Sequence, residues 1–204
     1  MAQNITLNGS ELNGQQVIDI AFNHATVSID VSKIAKSRDY IVKKVDDGKI
    51  VYGVTTGFGS NADKPIEAKD AATLQRNLLR SHAVGVGNNF LPEVVRAIMA
   101  VRLNTLLKGN SGIQESTVRR LEFLLNKRIH PVIPEQGSVG ASGDLCPLAH
   151  MALPLIGEGE IEYELLDWEI LEARQERKDD NGKYYGIYKT EDFLKTKEGC
   201  QGLF

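Results

Sequence analysis

The stretch "GSVGASGDLCPLAH", residues 137–150, decides how this chain is read. Gly137, Gly140 and Gly143 recur at every third position, and an apolar run follows at once. Several ordinary explanations of a glycine-rich loop beside a serine compete here. A phosphate cradle requires G-x-x-x-x-G-K-[ST], and no lysine follows. A dinucleotide fingerprint requires G-x-G-x-x-G after a strand, a spacing this loop lacks. A nucleophile elbow requires G-x-S-x-G, and Asp144 stands where its last glycine belongs. What remains is a turn that enters a helix, with Asp144 as its cap.

The backbone itself offers another reading. The amide nitrogen of Gly143 can attack the Ala141 carbonyl if the loop folds sharply, because glycine has no Cβ to block so tight a turn. The small Ala141 leaves room, and the Ser142 hydroxyl can depart as water. The product is a five-membered methylidene-imidazolone, an electrophile made from three consecutive residues. Spacing alone does not establish this reaction, so the structural turn and the cyclised loop both stand at this point.

Working outward, residues 145–156 read as a buried helix entered at Asp144, with Pro147 tolerated in its first turn. "HPVIPEQ" (130–136) is extended, since its two prolines exclude an ordinary helix. Residues 67–128 carry a helical pattern. Leu74, Leu78 and Leu79 form one stripe, and Pro92 marks a helix start that Gly109 ends. Ser111 or Ser116 is placed to cap a further helix whose Val118, Leu121, Leu124 and Leu125 face one way. "VYGVTTGFGSNADKP" (51–65) reads as a loop. "ATVSID" (25–30) reads as a strand, and a helix follows it with Ser32 as cap and Gly48 as stop.

"GEIEYE" reads as a short strand, and "RQERKDDNGK" as an exposed turn. Leu165, Trp168, Leu171 and Ile187 are read as the apolar anchors of the stretch before Phe193. The expected architecture is mainly α with a few short strands. A domain over 1–163 contains the Ala-Ser-Gly triad, and 164–204 form an atypical charged tail.

At 204 residues, 42% hydrophobic and 25% charged with a net charge of −3, the chain has the make-up of a soluble domain without a basic patch for nucleic acid. The first residues are polar and show no signal peptide. The longest apolar run is broken by Pro147, His150 and Pro154 and falls short of the ~20 residues of a membrane span. Cys146 and Cys200 make no disulfide framework and no zinc spacing, so no metal and a reduced, cytoplasmic setting are expected. Cys146 reads as a small packing residue.

"GSVGASGDLCPLAHMALPLIGEGE" resembles the signature of the aromatic amino acid ammonia-lyase family, which includes histidine, phenylalanine and tyrosine ammonia-lyases and related 2,3-aminomutases. "VYGVTTGFGSNADKPI" and "LQRNLLRSHAVGVG" resemble two further family segments, in the expected order. The resemblance covers about residues 1–163 and implies the N-terminal part of a fumarase/aspartase-like helical fold. It implies elimination of ammonia from an aromatic amino acid, histidine favoured, to an α,β-unsaturated acid. Tyrosine or phenylalanine lyase and aminomutase activities are the alternatives, as is a catalytically inactive homologue with an assembly or binding role.

By the same resemblance, Ala141, Ser142 and Gly143 form the methylidene-imidazolone cofactor, and Tyr52 is the catalytic base. A phenol has an ordinary pKa of about 10 and acts as a base at neutral pH only where its site lowers that value. The pair Ser81-His82 lies where the family reads the substrate side chain, and Gly59 either lets backbone approach the substrate or has a purely conformational role. Phenylalanine-preferring members tend to carry an apolar pair there, so Ser81-His82 argues against a pure phenylalanine enzyme without separating imidazole from phenol. Asp144 either assists cyclisation or caps the helix. Arg80, Arg102 and His150 receive no role.

The family's second half has no counterpart in this sequence. It supplies an Asn-Gly-Thr segment, an arginine for the substrate carboxylate, a second tyrosine and the long helices of a tetramer. Apolar stripes on the 67–128 helices are therefore expected to lie uncovered. The implied partners are a small-molecule amino acid and either a homo-oligomer or a complementary C-terminal chain, with neither nucleic acid nor membrane.

Overall fold

The computed structural model describes residues 3–141, 143–164, 176–178 and 184–195. Ser142, Leu165, Trp168, Leu171 and Cys200 lie outside the described residues. Strands β1 (Asn4–Leu7) and β2 (Thr26–Ile29) pair in parallel, with Ile5 opposite Val27 and Leu7 opposite Ile29. Strand alternation sends Ile5, Leu7 and Val27 into the core. Between them helix α1 (Gly14–Ala21) begins at a capping box: Asn13 Oδ1 accepts from the Gln16 amide, and Gln16 Oε1 accepts from the Asn13 amide.

Helix α2 (Ile34–Asp46) stops at Gly48, whose φ of +65° favours glycine, as expected. Its start differs from the expectation. Lys33, not Ser32, occupies the cap position, and the Ser32 amide donates to Asp30 Oδ1 at 2.9 Å. The acidic side chain closes the local turn first.

Helices α3 (Ala68–His82), α4 (Pro92–Leu106) and α5 (Glu115–Asn126) fill most of the expected helical region. The region is interrupted by β3 (Val86–Asn89), which sequence periodicity did not show. Gly85 and Gly87 break the helix, and β3 finds an antiparallel partner in β5 (Pro134–Gln136), just beyond the two-residue strand β4 (His130–Pro131). Pro92 opens α4, where its missing N–H costs nothing. Helix α5 starts after Gln114 without a side-chain cap, so neither Ser111 nor Ser116 serves.

The core lies between α4 and α5. Val95, Met99 and Leu103 recur at four-residue spacing on α4 and meet Val118, Leu121 and Leu125 of α5, all essentially buried. Burial of each such side chain stabilises the fold by about 1.5–3 kcal/mol. Three polar ties fix the N-terminal layer to this pair. The Asn126 side chain donates to Val27 O and accepts from Val27 N, both at 2.8 Å, acting as one more rung on β2. The Gly9 amide donates to Asn104 Oδ1 at 2.9 Å.

Arg96, 2% exposed, is the third tie. Its guanidinium donates twice to Ile20 O, at 2.9 and 2.8 Å, and once to Leu125 O at 2.8 Å. It thus satisfies last-turn carbonyls of two helices at once. Burial pulls its pKa down to about 10, so it stays charged at neutral pH.

Helix α6 (Leu145–Ala152) follows the glycine loop and tightens into a 3₁₀ turn at Leu153–Ile156, so the expected helix over 145–156 is α-helical only in its first part. Strands β6 (Glu160–Glu164), β7 (Glu176–Lys178) and β8 (Tyr184–Lys189) form with β4 an antiparallel sheet in the order β4-β6-β8-β7. Residues 176–178, read from sequence within an exposed turn, form a paired strand because β8 supplies their hydrogen bonds. Helix α7 (Thr190–Phe193) delivers Phe193 to the core, its ring 5.1 Å from that of Tyr163.

The expected uncovered stripes are found only in part: Leu74, Leu78 and Leu79 of α3 are half-buried, and Val118, Leu121, Leu124 and Leu125 of α5 are buried. No described side chain of α3 is fully buried, and Val101 of α4 is 49% exposed. Among the described residues no helix is long and apolar enough to cross a membrane.

Candidate active site

The loop over 51–65 is held by its threonines. Thr56, fully buried, accepts from the Gly53 amide at 3.1 Å and donates to Gly57 O at 2.9 Å. Gly53 must be glycine: its φ is +72°, and a Cβ there would lie 2.7 Å from the Phe58 ring. This turn stands Tyr52 edge-on to Phe58, with ring centroids 5.8 Å apart. The Tyr52 hydroxyl accepts from the Gly59 amide at 3.3 Å, and Tyr52 is 61% exposed. Gly59 has φ +57° and open space where a Cβ would point, so its backbone conformation, not crowding, selects glycine.

Helix α3 connects this loop to the other candidate residues. Gln75 Nε2 donates to Gly53 O at 3.0 Å, tying the Tyr52 loop to the helix. Two turns on, about 10 Å along the axis, come Ser81 and His82. His82 Nδ1 lies 2.8 Å from Leu78 O. A carbonyl only accepts, so Nδ1 is the donor in this contact, and in the neutral ring Nε2 is the acceptor. The Ser81 hydroxyl donates to the same carbonyl at 2.9 Å and lies 3.1 Å from His82 Nδ1, fixing the pair as a unit.

The glycine loop is a surface turn. Gly140 and Gly143 have φ of +76° and +88°, and the Gly143 amide points back to Gly140 O at 3.5 Å. Ala141 bridges to Gly143, and nothing lies within 4 Å of a Cβ built on Gly140 or Gly143. The backbone on either side of Ser142 is therefore already bent back on itself with free space around it. These residues fit the ring that the Ala-Ser-Gly triad would form. Asp144 does not cap α6 with its side chain; Ser138 Oγ donates to Asp144 Oδ1 and staples the loop's base.

The loop is anchored behind by residues to which sequence reading gave no role. His150 Nε2 accepts from the Gly85 amide at 3.0 Å, and burial holds the His150 pKa below the usual imidazole value. The only signal in the sequence was a histidine standing alone in an apolar helix. Arg80 pairs with both carboxylate oxygens of Glu158, joining α3 to the turn after α6 and holding the Glu158 carboxyl below its usual range. Cys146 is buried, and a Cβ on Gly137 would fall 2.5 Å from its sulfur. Among the described residues no three His, Cys, Asp or Glu side chains converge to hold a metal ion.

Gly137→Ala is expected to lower stability by about 1–3 kcal/mol through this overlap. Because Cys146→Ala removes the sulfur but not the contact with the Gly85 Cα at 3.1 Å, the double variant is expected to recover part of the loss. A double-mutant cycle in urea measures it, and strictly additive effects would refute the contact.

The sequence matches the aromatic amino acid lyase family over residues 12–191. Histidine ammonia-lyase of Bacillus cytotoxicus is 48% identical over 162 residues, covering 78% of this chain and 32% of that protein. The chain spans about a third of the length of the curated relatives it matches. The crystal structure of ergothionase from Treponema denticola, an ergothioneine-degrading enzyme, superposes with a TM-score of 0.80 at 30% identity, covering 98% of this chain and 39% of that one. Histidine ammonia-lyase from Trypanosoma cruzi superposes with 0.76 at 33% identity, covering 94% of this chain and 34% of its own.

Proposed function

Since the chain belongs to the aromatic amino acid lyase family, a helical fumarase-like fold, we propose that it carries part of the active site of an ammonia-lyase acting on histidine. The observation that bears most weight is the contact of His82 Nδ1 with Leu78 O. With Nδ1 committed to Leu78 O, Nε2 accepts, so a bound side chain must donate to it. An imidazole N–H or a phenol O–H does so, and a phenyl ring does not. The identity to histidine ammonia-lyases favours imidazole over phenol. Turnover by a tyrosine lyase or a 2,3-aminomutase route is the alternative.

The group formed by Ala141, Ser142 and Gly143 supplies an electron-poor carbon that makes the substrate amine a better leaving group. The rest falls to side chains. Tyr52 takes the β-proton at its phenolic oxygen, which the Gly59 N–H holds in place. Gly59 keeps the backbone low beside the substrate. Ser81 and His82 orient the ring from the last turn of α3. Formation of the group is balanced within the chain: the Gly143 nitrogen bonds to the Ala141 carbonyl carbon, whose oxygen leaves as water, and the Ser142 hydroxyl leaves as a second water.

Assembly with a second copy or with a complementary polypeptide, in the cytoplasm, belongs to this reading. A catalytically silent member with a binding or assembly role is the second reading. It is favoured by the exposure of the loop, where Val139 is 91% exposed, because strained geometry persists only where its surroundings over-determine it.

Intact mass and ultraviolet absorbance decide between these readings. The lyase reading expects the loss of two waters and an imidazolone band, both abolished in Ser142→Ala, together with ammonia release from L-histidine above that from L-tyrosine and L-phenylalanine. An unmodified mass in the full assembly sinks it.

A further inference from the structure

Three pieces of the candidate site meet at Gly85. A Cβ there would lie 3.1 Å from His150 Nε2 and 3.0 Å from Pro134 Cβ, and a Cβ on Gly137 would lie 3.1 Å from the Gly85 Cα. Residues 83–85 leave α3 directly after Ser81 and His82, while α6 begins directly after the triad loop. The Gly85 N–H to His150 Nε2 hydrogen bond, 3.0 Å across 65 residues of sequence, is thus a direct polar link between the two. Pro134 and the Gly137 turn pack beside the same glycine. An amide donates, so Nε2 is unprotonated and the imidazole is neutral in this arrangement.

We propose that His150 is a positioning residue of the candidate site: by accepting the Gly85 N–H it holds Ser81 and His82 in fixed register with the helix that carries the triad. The inference rests on the reading of Ser81 and His82 as the pair that orients the substrate ring. Its physical content is that a displacement of about 1 Å at a positioning contact is enough to weaken a site strongly.

The test compares His150→Gln, which keeps an acceptor at similar reach, with His150→Leu, which has none. His150→Asn, polar but too short to reach Gly85, replaces the leucine variant if that one fails to fold. Two quantities are read by NMR on the full chain: hydrogen exchange of the Gly85 amide, and the affinity for L-histidine followed at the Ser81 and His82 amides. Loss of the acceptor is expected to speed Gly85 exchange and to weaken L-histidine binding by about tenfold, the worth of one hydrogen bond. His150→Gln is expected to restore both.

A histidine that merely fills the helix would give weakened binding in the glutamine variant as well, or unchanged binding in the leucine variant, and either result overturns the inference alone. Absence of any L-histidine response at Ser81 and His82 in the unsubstituted chain overturns the functional reading and the inference with it.

Discussion

Arg96→Leu is expected to lower the free energy of unfolding by about 4 kcal/mol. Leucine keeps much of the apolar stem of the arginine but provides no donor. Ile20 O loses two hydrogen bonds and Leu125 O loses one, both inside the junction of α1, α4 and α5. Ile20 O is left stranded at a cost of about 1–3 kcal/mol, while Leu125 O keeps only the long bond from the Arg128 amide at 3.4 Å. Against a total stability of about 5–15 kcal/mol for a domain, this is a large share. Urea unfolding should show a lower midpoint with an unchanged slope. Arg96→Lys should recover only part of the loss, because one ammonium does not span both helix ends as the planar guanidinium does. A leucine variant within about 1 kcal/mol of the parent would show that the two carbonyls find other partners, and the buried clamp would lose its structural role.

Tyr52→Phe carries the largest expected effect on chemistry. Phenylalanine keeps the edge-on contact with Phe58 and gives up only the bond from the Gly59 amide at an exposed position. The fold should therefore change by no more than about 1 kcal/mol. The triad lies on a different loop, so the mass loss of two waters should persist. Ammonia release should fall by about 10²–10⁴-fold, the usual worth of a placed general base. Retention of activity within about threefold would move the base elsewhere and leave Tyr52 as a packed turn residue. Reading mass and turnover on the same sample separates loss of the base from loss of the electrophile.

Much of the architecture was legible because the signals were local. Pro92 at the start of α4, Gly48 and Gly109 at helix ends, and the prolines of 130–136 each act through their own backbone. The features that escaped depend on partners distant in sequence. Strand β3 exists because β5 lies beside it, and residues 176–178 are extended because β8 pairs with them. The α2 cap fell at Lys33 and not Ser32, whereas Asp144 holds the cap position of α6 without a side-chain cap bond. Asp30 outcompeted Ser32 for the local turn, and Ser138 engaged the Asp144 side chain before it could cap α6.

The candidate residues themselves were found by motif, but not their linkage. Nothing in the sequence shows that Gln75 grips the Tyr52 loop, or that a histidine 65 residues away closes on Gly85. His82 shows the gain most clearly: its identity left its partners open, and its Nδ1 lies 2.8 Å from Leu78 O.

The rung that Asn126 adds to β2 bears on how the polypeptide is made. Its two partners are separated by 99 residues. At translation rates of about 5–20 residues per second, the N-terminal strand waits roughly 5–20 s before the side chain that completes it is synthesised. Throughout that interval the growing chain displays an open β edge, so chaperone demand during biosynthesis should be concentrated on its first thirty residues.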